Sequence, residues 1–213
     1  MSDATPSTRD RILEAAFDAF MRFGYSGAST AQIARLARVS KRDLYAHFGS
    51  KQAMLAACVS ERAGRMRQPL SLPTPTDRKG LHETLIQFGT AVVRELGRPE
   101  VLATYRLAIA EAEYAPDVAI TLDRLGRATT AEALIALLSA ARERGLLSGG
   151  EAADMAGLFT SMLTRDGILV RMLMRVAEPP TEAEARQRAE AAAACLFRTY
   201  GATGQASAVD GPG

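Results

Sequence analysis

The stretch Ser29–Phe48, STAQIARLARVSKRDLYAHF, decides how the rest of the chain is read. Ser29 or Thr30 can cap a helix, its oxygen accepting an otherwise orphaned backbone N–H. Ile33, Leu36 and Ala37 recur at helical spacing and give that helix one apolar face. Ala37-Arg38-Val39 follows as a turn, and Ser40 is a second N-cap. Leu44, Tyr45 and Phe48 are the inward stripe of another short helix, whose outward positions are Lys41, Arg42, Asp43, Ala46 and His47. A capped helix, a tight turn and a short helix with two cations on its first exposed turn form a helix-turn-helix pattern.

Outward from this stretch the same order and spacing continue. Arg11-Ile12-Leu13-Glu14-Ala15-Ala16, Phe20 and Phe23-Gly24-Tyr25 precede it, and Thr30-Ala31-Gln32-Ile33-Ala34, Val39-Ser40-Lys41, Leu44-Tyr45-Ala46-His47-Phe48 and Ser50-Lys51 complete it. On these residues, about a quarter of the chain, the segment resembles the DNA-binding domain of the TetR/AcrR family of bacterial transcriptional repressors. Two positions depart from the family pattern. Arg38 stands where a turn glycine is usual, so a residue with a side chain must take a left-handed conformation at a cost of about 1 kcal/mol. Asp43 puts a carboxylate where threonine is more common.

Lys41 and Arg42 lie on the first turn of the groove-entering helix and can donate to guanine O6 and N7, or to phosphate. The resemblance implies backbone-phosphate contacts for Tyr45, His47 and Lys51, and for Ser29 and Thr30, where the helix dipole also favours an anion. Ser40 belongs to the same set as the cap of the reading helix. Arg38 is either a further phosphate contact or a solvated turn residue.

The charge divides in keeping with this. Through Pro69, eleven cations face six anions, and the remainder holds 15 cations against 18 anions. A basic end on a mildly acidic body suits a polyanion-binding head. The chain is 47% apolar and 23% charged, rich in Ala, Leu and Arg, and poor in β-branched runs, so an all-α fold is expected. No window approaches the roughly 20 apolar residues of a membrane span, and MSDATPSTRD lacks the apolar core of a signal peptide. A cytoplasmic location with no membrane association is expected. Cys58 and Cys195 form no ligand-spaced set and read as reduced thiols. His82 has no partner pattern, Glu111 and Glu113 fall on different helix faces, and no nucleotide, hydrolase or metalloprotease fingerprint occurs. Neither an enzyme, a cofactor nor a metal site is expected.

The expected organisation is about nine helices. A polar arm (1–8) precedes a head (9–68), with helices at Arg9–Phe23, the helix-turn-helix, and Ser50–Arg67. Pro69, Pro73 and Pro75 mark a boundary. The body (76–201) carries helices at Arg78–Leu96, Glu100–Glu113, Pro116–Arg144 and Glu151–Val176. A last helix runs from a Thr181 cap to Tyr200, and the tail (202–213) reads as disordered.

The resemblance implies a homodimer through the last two helices and a ligand pocket between body helices. The dimer set is Leu158, Arg165, Leu169, Met172, Ala189, Ala193, Leu196 and Phe197, with Ala192 adding to a small-residue face. The pocket set is Phe88, Tyr105, Ile109, Leu122, Phe159, Met162 and Leu163, with Arg165 or Asp166 at its mouth. Large apolar side chains with no converging cations favour a small hydrophobic effector over a phosphorylated one. The implied function is an operator-binding repressor, with a near-palindromic site on double-stranded DNA, released by that effector. The other reading is a dimeric DNA-binding scaffold controlled by a protein partner.

Overall fold

A computed structural model describes residues 6–71, 73–165, 168–174 and 178–201. Its helices are α1 (Thr8–Gly27), α2 (Thr30–Ala37), α3 (Lys41–Phe48), α4 (Lys51–Arg67), α5 (Arg78–Leu96), α6 (Pro99–Ala110), α7 (Pro116–Thr121), α8 (Thr129–Glu143), α9 (Ala152–Thr164), α10 (Ile168–Leu173) and α11 (Glu182–Tyr200). A π-helical stretch, Leu122–Ala128, joins α7 to α8. Among the described residues the only extended pairing is a single antiparallel bridge between Leu147 and Gly201. The all-α expectation holds.

The chain forms two compact units. The first comprises Met1–Arg65, Glu95–Thr130 and Ile168–Pro179, the second Met66–Arg94, Ala131–Gly167 and Pro180–Gly213. These units do not follow the division at Pro69–Pro75. In the first, Ile12, Phe20, Ile33, Leu44 and Met54 of the head share one buried cluster with Ala108 of α6 and Val118 of α7. The head therefore has no closed core of its own; α6 and α7 complete it.

Polar contacts reinforce this unit. Arg62 of α4 lies over the Phe17 ring of α1, 4.4 Å from its centroid, and pairs at 3.8 Å with Glu95 at the end of α5. Glu95 is buried and also faces Arg98 at 3.7 Å. Removing either partner of such a pair strands the other's charge.

In the second unit, α5, α8, α9 and α11 pack around Leu85, Phe88, Leu138, Phe159 and Leu163. Phe88 and Phe159 stack with centroids 6.3 Å apart. At Gly89 of α5, a Cβ would stand 2.8 Å from Cβ of Ala189, 3.1 Å from Leu163 and 3.2 Å from Phe159. Glycine there lets α11 approach the α5 backbone directly. This corrects the role expected for the small-residue face of α11. Ala189, Ala193 and Leu196 are fully buried within their own protomer, against α5 and α9, and are not free for a second copy.

The single helix expected over Glu151–Val176 is also corrected. It stops at Thr164, because Arg165 takes an extended conformation (φ −49°, ψ 136°), and α10 restarts at Ile168. Burying the Arg165 charge in a continuing apolar helix would be costly. The two halves belong to different units. Met155, Phe159 and Leu163 are core, while Leu169, Val170 and Leu173 on α10 are exposed.

Candidate nucleic-acid interface

The α2–turn–α3 element is specified by reciprocal caps. Ser29 Oγ accepts from the Gln32 N–H (3.2 Å), and Gln32 Oε1 accepts from the Ser29 N–H (2.8 Å). Ser40 Oγ accepts from the Asp43 N–H (3.1 Å) and donates to Asp43 Oδ2 (2.7 Å). Each is a capping box, which satisfies two orphan donors at once. The unusual Asp43 thus has a structural task. The Ser40 hydroxyl and then the Ser40 amide hold its carboxyl below the usual carboxylate range.

Arg38 ends α2 in the left-handed region (φ 55°, ψ 48°), alone among the described non-glycine residues. The Val39 N–H reaches Ala34 O at 3.0 Å, which closes the turn. The structure therefore meets the expectation of a strained, non-glycine turn.

Lys41, Arg42, Arg38 and His47 are exposed around this element, and Tyr45 is 48% exposed. Tyr45 and Thr30 join through their hydroxyls at 3.1 Å, linking the N-terminus of α2 to the middle of α3. The dipole at the N-terminus of α2, with the cations of α3 in the same element, makes a surface suited to phosphates and base edges.

Lys51 departs from its expected place. Its Nζ donates to the carbonyls of Tyr25 (2.7 Å) and Ala28 (3.1 Å) and lies 4.5 Å from the Tyr25 ring centroid. An ammonium has three donors, and these carbonyls engage it inward. It braces the α1–α2 corner instead of reaching outward.

Two contacts escaped the sequence reading. Glu111, the C-cap of α6, accepts from the Ser26 N–H (3.2 Å) and the Ser26 hydroxyl. Gln52 of α4 donates to Asp117 of α7 at 3.1 Å. Partners 85 and 65 residues apart leave no mark on local periodicity.

The residues expected around a ligand belong to both units. Phe88, Phe159 and Leu163 are buried and Met162 is half-buried, all in the second unit. Tyr105 and Leu122 are half-buried in the first, and burial raises the Tyr105 phenol above its ordinary pKa. Ile109 is 65% exposed, which removes it from a buried lining: α6 turns Val101, Leu102 and Ala108 inward instead. Asp166 lies outside the described residues. Of the dimer set, Leu158, Met172 and Phe197 are half-buried, and Arg165 and Leu169 are exposed. Phe197 has Arg78 and the His82 ring against it, each 5.5 Å away.

Cys58 is buried, its thiol pushed up to about 12 by desolvation, and it donates to Leu13 O at 3.6 Å. Both cysteines are free thiols. Among the described residues no helix is long and apolar enough to cross a membrane, and no three His, Cys, Asp or Glu side chains cluster as metal ligands.

Comparison with known proteins converges on this geometry. Residues 12–58 match the family of bacterial regulatory proteins of the TetR type, and residues 83–202 match the C-terminal domain of AefR-like transcriptional repressors. The HTH-type transcriptional regulator YvkB of Bacillus subtilis is 26% identical over 157 residues, 73% of this chain and 79% of its own length. A TetR regulator from Agrobacterium tumefaciens superposes with a TM-score of 0.74 at 24% identity, over 93% of this chain and 97% of the other. The flavonoid-responsive regulator FrrA gives 0.71 at 26% identity, over 92% and 98%. The second family match alone spans more than half the chain. The chain belongs to the TetR family of DNA-binding transcriptional regulators.

Proposed function

We propose that the protein is a homodimeric repressor whose operator affinity is lowered by a small, apolar effector. The observation that carries this is the shared core of the first unit. Ala108 and Val118 pack with Ile12, Phe20 and Leu44, so a change in α6 or α7 is felt by the helix-turn-helix through direct contact. An effector acts by preferring one arrangement of these helices over another. The large apolar side chains Phe88, Phe159 and Met162 of the second unit favour an aromatic, uncharged compound. FrrA, which responds to a flavonoid, is consistent with that class.

The dimer surface is reassigned to the outward positions of α9 and α11. Gly157 has nothing within 4 Å of a Cβ placed on it, and Ala153 and Ser161 on α9, like Gln187 and Ala191 on α11, are exposed. Small outward residues permit close approach of a two-fold-related copy. Light scattering of Gly157→Arg is expected to give a monomer where the parent gives a dimer.

Lys41 and Arg42 read bases, with Tyr45, His47, Ser29 and Thr30 on phosphates and half-sites about one helical turn apart. The test is selection of duplexes from a random pool, followed by anisotropy titration in the presence of apolar aromatic compounds. A palindromic consensus, and a compound that both raises the melting temperature and releases DNA, are expected. Lys41→Ala relaxes preference at one base pair by about 1–3 kcal/mol. Loss of affinity spread evenly over all sequences would make Lys41 a phosphate contact.

A further inference from the structure

The corner between α1 and α2 is held from two sides. Lys51 takes its carbonyls, at Tyr25 and Ala28, and Glu111 takes its amides. Gly24 opens the corner with φ 75°, and a Cβ on it would stand 2.8 Å from Glu111 Oε1. The carboxylate fills space that only glycine leaves open. The Ser26 hydroxyl, first, and then the amides of Ser26 and Tyr25 with the charge of Lys51, hold the Glu111 carboxyl below its ordinary pKa. Successive N–H groups around a left-handed residue form an anion-binding concavity. Here the anion comes from the chain itself, from the last turn of α6.

From that concavity the backbone runs through Ala28, which is buried in the head, to Ser29 and Thr30 at the start of α2. Thr30 meets Tyr45 of α3 at 3.1 Å. The chain from Glu111 to the groove-facing helix is therefore continuous: Ser26, the α2 N-terminus, Thr30, Tyr45. We propose that Glu111 is a positioning residue for DNA recognition, fixing α2 and α3 in the orientation that enters the groove while making no DNA contact. This rests on the DNA-binding role of the head and assigns a residue of α6 to it.

A carboxylate acting only by repelling phosphates would behave differently. Its removal, as Ala or as Gln, would strengthen binding to every sequence, most at low salt. A positioning carboxylate contributes to the specific complex alone, and an amide oxygen can still accept from Ser26.

The test uses the full chain and two probes: the duplex it enriches from a random pool, and that duplex scrambled. Glu111→Ala is expected to lose about tenfold on the enriched duplex, the effect of hydrogen bonds to a charged group. It is expected to leave the scrambled duplex and the salt slope unchanged. Glu111→Gln should recover most of the loss, and Ser26→Ala with Glu111→Ala should be no worse than Glu111→Ala alone. Ser26→Ala removes only an exposed hydroxyl and carries the test should Glu111→Ala fold poorly; about a threefold loss on the enriched duplex is expected. The proposal is overturned by any of three results. These are undiminished binding of the enriched duplex by Ser26→Ala and Glu111→Ala, equal losses on both duplexes, or additive losses in the double variant. A parent chain that enriches no duplex while remaining folded would instead remove the DNA-binding reading, and the proposal with it.

Discussion

The helix-turn-helix of the first unit and the packed helices α5, α9 and α11 of the second are ordered by different dominant means. In the first, α2 and α3 have eight residues each, too few to be stable alone. Each begins with a capping box, as does α1 with Ser7 and Asp10. In the second, α9 has no side-chain cap, yet it is held by Met155, Phe159 and Leu163 in the core. There α11 lies against α5 so closely that a methyl group at Gly89 would not fit. Short helices that must present an exposed face take their order from local polar bonds. Longer ones that bury a face take it from packing.

The sharpest way to break this contrast is Gly89→Val. Overpacking a seam whose neighbours include the Ala189 Cβ should cost about 3 kcal/mol, read by urea unfolding. A loss under about 0.5 kcal/mol would show that α11 can move aside, and the packing half of the comparison would fail. Next in size is Ser40→Ala, expected to cost about 1–2 kcal/mol because α3 has little else to start it. Its penalty should depend on pH. The Asp43 carboxyl is depressed in the folded state, so its bond to Ser40 contributes fully above the unfolded carboxylate value near about 4. That contribution is lost as pH falls through the lower folded value, and the gap between variant and parent should narrow there.

Arg38→Gly relieves a left-handed side chain and should stabilise by about 1 kcal/mol, set against the greater freedom glycine gives the unfolded chain. A thermal scan showing no gain would mean that the arginine side chain stabilises its own turn. The smallest effect is expected at Thr181→Ala. It breaks the Thr181–Glu184 capping box on α11, a helix of 19 residues whose Ala185, Ala189 and Ala192 are buried. About 0.5 kcal/mol should suffice. A cost equal to that of Ser40→Ala would mean that caps matter alike in both units.

The same contrast explains what could be read from the chain. The caps at Ser29 and Ser40, the left-handed Arg38 and the bounds of α5 depend on neighbours within four residues, and each was legible. The break after Thr164 was not, because an apolar run looks alike whether one unit or two bury it. Ala189, Ala192 and Ala193 showed correctly that something approaches α11 closely; only the fold says that it is α5 and α9 of the same chain. Lys51 read as an outward cation because nothing local announces the carbonyls at Tyr25 and Ala28. Glu111 was passed over as one of two scattered carboxylates for the same reason.

The seam at Gly89 has a mechanical consequence. Where side chains interdigitate, a contact can yield by changing rotamers. Where a helix backbone meets the Cβ of an alanine, there are no rotamers to change, and the contact either slides as a whole or stays fixed. Along α5 and α11 the second unit therefore behaves as a stiff rail. Displacement within it falls to the long side chains nearby, such as half-buried Met162, which can turn without moving the rail.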